Sequence, residues 1–252
     1  MAVCGHLEKL NTLLRIVFAL ATGAATVWSF TIPATAAPFL NPNLSRILVW
    51  HLPCPLLATV LLLVGGWFSF KYLRTNERHW DERAAAANEL GYVFCLLTMA
   101  TGILFSEVQW GTWWQWDPRQ TSFLMVLLIY AAYFAVRGAF SDPDRRAANA
   151  AAYALAAIIP ALFLIYVYPR LVPETMHPND SIPKGQIQGQ YRYSVLTNIA
   201  LLSMFGIWLY RTRIRAALLH LRREEKHEGL APDSSHPTPT GVVRPVSIST
   251  ED

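Results

Sequence analysis

The chain has 252 residues, of which 53% are hydrophobic and only 15% charged, and its formal net charge is +4. That leaves too little polar surface to cover a soluble globule of this size, so the composition points to an integral membrane protein. The three cysteines, Cys4, Cys54 and Cys95, form no CxxC or CxxCH pattern, which argues against a disulfide scaffold, a zinc site or covalent attachment of a c-type haem.

Apolar runs of the roughly 17 to 25 residues that cross a bilayer lie near 13–32, 52–70, 87–105, 122–136, 147–168 and 193–210, the fourth being the shortest. The expected fold is therefore an all-α integral membrane protein, a bundle of six transmembrane helices. The first run has a competing reading as a signal peptide, because Ala34-Thr-Ala-Ala37 resembles a small-residue cleavage site. Its apolar core, however, is longer than the usual 7 to 15 residues or so. Of the 21 Lys and Arg residues, all but Arg46, Arg119, Arg170, Lys184 and Arg192 flank one side of the spans. Under the positive-inside rule both termini are then cytoplasmic, and the loops at 33–51, 106–121 and 169–192 lie outside.

Pro160 interrupts the fifth span and should kink it. After the sixth, Arg211 to Lys226 reads as a basic helix on the inner leaflet. Residues 1–226 form the membrane domain, and the Pro-, Ser- and Thr-rich stretch 227–252 reads as a disordered cytoplasmic tail. Within the spans Glu89 is expected to reach the interface, and Asn198 to act as structural glue between helices.

The outer loops hold the candidate chemistry. Trp110, Trp113, Trp114 and Trp116 crowd into Trp110-Gly-Thr-Trp-Trp-Gln-Trp-Asp-Pro-Arg-Gln-Thr121. Interfacial tryptophans are normally scattered as anchors, so the cluster reads as a flat aromatic shelf for a flat ligand, with an anchoring belt as the bland alternative. Asp117-Pro118-Arg119-Gln120 fits a helix start, with Asp as N-cap, Pro at the first helical position and Gln reaching back as in a capping box. Of the seven histidines, only His51 and His177 fall on the outer side with the tryptophans. Two imidazoles on opposite faces of a porphyrin would give six-coordinate haem b. Cys54, in His51-Leu-Pro-Cys-Pro55, is an alternative thiolate ligand but more often such a thiol is a small buried hydrophobe. If the flat ligand is a porphyrin, its propionates would need cationic partners, and Arg46, Arg119, Arg170 and Arg192 are the outer arginines; Arg119 is favoured by its place in the Trp stretch.

The stretch WGTWWQWDPRQTS resembles the tryptophan-rich "WWD" signature of membrane proteins that handle haem in cytochrome c biogenesis, and is most similar to the haem exporter protein C (CcmC) family. The resemblance implies a bacterial inner-membrane protein with His51 and His177 as the axial iron ligands. Trp110, Trp113, Trp114, Trp116, Asp117 and Arg119 would be the haem-contacting residues on the periplasmic side. It implies that haem b is a transient cargo, whose vinyl edge is presented to a periplasmic haem chaperone (CcmE) that becomes covalently linked through its own histidine. It also implies an ABC transporter pair (CcmA, CcmB) and a small membrane subunit (CcmD) as partners, with the lipid bilayer as solvent and no nucleic acid. The sequence carries no Walker motif, so any ATP dependence belongs to a partner.

Two other classes compete with a delivery component. A cytochrome c synthase or haem lyase of the CcsA or CcmF type shares the signature but carries further histidines within the membrane. A b-type electron-transfer anchor needs histidines facing one another inside helices. No histidine of this chain falls within an expected span.

Overall fold

The computed structural model describes residues 2–31, 44–176 and 189–228. Six helical segments in them are long and apolar enough to cross a membrane, Thr12–Thr31, Leu48–Thr75, Arg78–Trp110, Pro118–Gly138, Pro143–Leu171 and Gly189–Glu224. No strand occurs among the described residues. In chain order the helices are α1 (Ala2–Thr31), α2 (Leu48–His51), α3 (Pro53–Thr75), α4 (Arg78–Trp110), α5 (Pro118–Gly138), α6 (Pro143–Leu162), α7 (Tyr168–Leu171) and α8 (Gly189–Glu228). A short 3-10 turn, Leu44–Ile47, leads into α2, and a π turn, Phe163–Val167, joins α6 to α7.

The centre is α3, which packs most extensively on α4 and then on α6, while α5 lies against both α4 and α6. Small residues make this possible. A Cβ on Gly65 would sit 2.1 Å from Asn88 Oδ1 and one on Gly91 2.7 Å from Leu62 Cδ2, so the glycines let α3 and α4 approach backbone to side chain. Along α6, Ala147, Ala150, Ala151, Ala154, Ala157 and Ala161 are all buried, a small-residue face at the i, i+3, i+4 spacing that brings helices close where lipid offers no hydrophobic drive. Tyr130, Tyr133, Phe94 and Val126 fill the space between. Helix α1 touches the rest chiefly through α8, and its Leu13, Leu14, Ile16, Val17 and Leu20 are exposed, as suits a lipid-facing helix.

The short α3–α4 and α5–α6 connections place charged residues at one end of the bundle. Asn76, with φ 55°, caps α3 in the left-handed conformation, and Asp142 caps α6 by accepting from the Arg145 N–H at 2.8 Å. Buried Asp81 takes both arms of Arg137 at 2.6 and 2.8 Å, locking α4 to α5. Glu89 does not simply reach the interface. It is gripped by Arg213 at 2.7 and 2.9 Å, which ties α4 to α8. Asn198 donates to the Ser194 carbonyl of its own helix at 3.1 Å; glue to a neighbour is not what its amide nitrogen supplies. The basic segment beyond Tyr210 is no separate helix, because α8 runs unbroken to Glu228.

Pro160 stays inside α6, and the irregularity it heralds comes directly afterwards as the π turn. A widened turn re-spaces the backbone groups that a proline leaves unmatched. There Tyr166 reaches across to donate to Thr59 at 3.0 Å. The signal-peptide alternative, the outer loop 33–43 and the tail from 229 onward lie outside the described residues.

Candidate functional site

At the end of the bundle away from the Arg137–Asp81 pair, α2, the C-terminal part of α4, the start of α5 and the π turn with α7 surround an open cleft with a cavity volume of about 130 Å³. His51, Thr98, Met99, Gly102, Arg119 and Phe123 are among its walls. The volume is less than the roughly 300–1,000 Å³ of a site that encloses a drug-sized ligand or cofactor, so a larger ligand would extend beyond the cleft walls. His51 ends α2, and only Leu52 separates it from Pro53, which opens α3. Its ring is drawn against α4, where Nδ1 lies 2.8 Å from the Thr101 hydroxyl, and a Cβ on Gly102 would come within 3.2 Å of its Cε1. Glycine at that position gives the imidazole its seat.

Arg119 joins His51 in the same cleft. Arg170, whose guanidinium donates to the Tyr166 carbonyl, is one residue beyond Pro169, which is also part of the cleft wall. The Arg119 guanidinium is the cationic side chain in the cleft wall and can pair with an anionic group of a ligand. Arg192 instead lies over the Tyr193 ring, 5.6 Å from its centroid.

The Trp stretch is built as a braced loop. Gly111 ends α4 with φ 71°, a left-handed cap that glycine adopts without steric cost. Ser106 donates to the Thr112 carbonyl at 2.8 Å, folding the loop back on α4. Gln120 does not reach back to the N-cap. Its Oε1 accepts from the Gln115 N–H at 3.2 Å and its Nε2 donates to the Trp113 carbonyl at 3.4 Å, so it braces the loop instead of closing a capping box. Trp116 holds φ 57°, a conformation that costs a bulky residue on the order of 1–3 kcal/mol and gathers at functional sites.

The indoles do not form one flat shelf. Trp114 and Trp116 meet edge to face, with centroids 5.7 Å apart and planes at 90°, and Trp110 turns its ring at 90° to Phe105. Edge-to-face contact suits the aromatic quadrupoles better than a coplanar array. Trp113 and Trp116 project outward, 56% and 73% exposed, and none of the four tryptophans walls the cleft.

Asp117 has a double part that sequence reasoning missed. One oxygen caps α5, accepting from the Arg119 N–H at 2.9 Å. The other accepts from the Thr175 hydroxyl at 2.9 Å and from the Met176 N–H at 2.8 Å. The carboxylate is 5% exposed and straps the Trp loop to the connection that follows α7. His177, the next residue, lies outside the described residues, as does Lys184. Cys54 is buried and donates to the Trp50 carbonyl at 3.2 Å, the behaviour of a small hydrophobe with a weak donor. Among the described residues no cluster of His, Cys, Asp and Glu is arranged to hold a metal ion by itself.

The family model described as heme exporter protein C matches residues 2–229. The chain is 30% identical over 197 residues to the heme exporter protein C of Paracoccus denitrificans, covering 76% of this chain and 80% of that protein. It is 27% identical over 229 residues to that of Haemophilus influenzae, covering 86% and 87%. A shorter match to the Rhodobacter capsulatus protein of the same name is 36% identical over 124 residues, about half of each chain at 48% and 49%. With a family match across nearly its whole length, this six-helix protein belongs to the heme exporter protein C family.

Proposed function

We propose that the chain is a haem-handling component of cytochrome c maturation in the bacterial inner membrane. It holds haem b as a transient cargo at the periplasmic face and presents it to the periplasmic chaperone CcmE. The observation that carries this reading is the cleft that brings His51 and Arg119 together, beside the loop of exposed tryptophans. His51 supplies one axial imidazole and His177 the other, and Arg119, with Arg170 near it, receives a propionate. The positive end of capped α5 opens at the same place and adds its own attraction for a carboxylate.

In this arrangement the Asp117 strap sets the spacing between the two histidine-bearing segments. Asp117 accepts from Arg119, Thr175 and Met176, which gives it a positioning part in the site. Trp113 and Trp116 offer apolar faces outside the cleft, where they can cover a porphyrin edge or meet the chaperone. The ABC subunits CcmA and CcmB and the small subunit CcmD are the expected partners.

The test is the absorption spectrum of the purified protein expressed with and without the chaperone. A six-coordinate haem b spectrum without it, depleted when the chaperone is present, supports delivery. A spectrum that survives a functional chaperone at full intensity supports a resident redox cofactor instead.

A further inference from the structure

The imidazole of His51 is held by an atom with one proton to give. Thr101 Oγ1 lies 2.8 Å from His51 Nδ1, 2.6 Å from the Leu97 carbonyl one turn back in α4 and 3.3 Å from the Thr98 carbonyl. A backbone carbonyl can only accept, so the hydroxyl proton is committed to the helix. What the hydroxyl offers His51 is then an oxygen lone pair, and Nδ1 is the nitrogen that carries the ring proton. Neutral imidazole has a single N–H. Its remaining lone pair therefore resides on Nε2. That is the nitrogen through which a histidine ligates a metal when its Nδ1–H is engaged elsewhere.

The seat at Gly102 brings this bond within reach. A side chain there would meet His51 Cε1 at 3.2 Å, so the bare backbone lets the ring settle beside Thr101. Resting on the reading of His51 as an iron ligand, we propose that Thr101 is a positioning residue. It fixes His51 as the Nδ1–H tautomer before haem arrives and so presents Nε2 to the iron.

The tautomer is readable without haem. In the full-length haem-free protein carrying isotope-labelled histidine, nitrogen NMR distinguishes protonated from bare ring nitrogens, and loss of a signal in His51→Ala assigns it. Wild type and Thr101→Ser should show His51 protonated at Nδ1, while Thr101→Val, of similar shape but unable to accept, should shift it toward the Nε2–H form. In the haem-loaded protein, Thr101→Val should weaken haem retention about 10- to 100-fold, as loss of such an outer partner commonly does, and raise the reduction potential because the ligand becomes less basic. Thr101→Ser should restore both. An unchanged His51 signal in Thr101→Val, or an Nε2–H form in wild type, overturns the tautomer lock itself. If the NMR result holds but His51→Ala leaves the haem spectrum intact, the ligation reading fails and the positioning role fails with it.

Discussion

Asp117 accepts a 2.8 Å hydrogen bond from the Met176 backbone N–H across 59 residues of sequence. The same carboxylate caps α5 through Arg119, so one side chain fixes both where the fourth span begins and where the loop after α7 turns. Hydrogen bonds to a charged group contribute about 1.5–3 kcal/mol each. Asp117→Ala should therefore speed amide exchange at Met176 by roughly 10- to 100-fold. Asp142→Ala, which removes the cap of α6 at the other end of the bundle, should leave that amide unchanged. Hydrogen exchange measured by mass spectrometry checks both, and equal protection at Met176 in wild type and Asp117→Ala would remove the strap.

The close α3–α4 approach predicts a contrast between two glycines. At Gly65 a Cβ meets Asn88 Oδ1 at 2.1 Å, whereas at Gly138 nothing lies within 4 Å. Gly65→Ala should destabilise by about 1–3 kcal/mol through overpacking. Gly138→Ala should be neutral, or stabilising by about 0.5–1 kcal/mol through helix propensity. Thermal unfolding of the two variants in detergent reads the difference, and equal midpoints contradict the packing.

Much of this architecture was legible in hydropathy. All six spans are legible, but five of them extend further at both ends than expected, because an apolar window stops at charge. The third was expected over 87–105, yet α4 runs from Arg78 to Trp110, since Arg137 neutralises Asp81 and lets the helix bury it. The Asp117 cap was legible because it bonds two residues away, a local pattern. Its second oxygen, the Glu89–Arg213 pair and the Thr101 bond to His51 were not, because each partner stands 50 or more residues away in the chain and neither period nor propensity records such pairing. The flat indole shelf was an inference from the crowding of four tryptophans into one stretch. Ring orientation is set by the braced loop, by Gln120 and the left-handed Trp116.

Exposed Trp116 separates two roles for the tryptophan cluster. Its side chain is 73% exposed, so Trp116→Ala should leave insertion and unfolding unchanged. If the ring holds the porphyrin edge or the chaperone, haem-loaded chaperone per inserted molecule should fall by about tenfold, for an aromatic stacking contact on the order of 1–3 kcal/mol. A membrane anchor would show the opposite pattern, with less protein inserted and normal transfer by each molecule.

The proposed delivery at the periplasmic face requires one orientation in the membrane. The end of the bundle bearing Arg78, Arg137, Arg145 and Arg213 holds most of the Lys and Arg residues, and in the proposed orientation the positive-inside rule turns it toward the cytoplasm. Reporter fusions after Ser141 and Arg215 should report cytoplasmic locations, and those within 173–184 periplasmic ones. A periplasmic report after Arg215 would invert the protein and put the cleft on the wrong side.

The central claim is that one haem is held between His51 and His177. Its most direct test is the absorption spectrum of purified His51→Ala and His177→Ala proteins, with and without added imidazole, beside His79→Ala as control. His79 pairs with Glu77 at the start of α4, roughly 35 Å along that helix from the His51 seat at 1.5 Å per residue. Each outer variant should convert the six-coordinate spectrum to a five-coordinate or haem-free one that imidazole partly restores, and His79→Ala should match wild type. Six-coordinate spectra persisting unchanged in both outer variants would contradict the account.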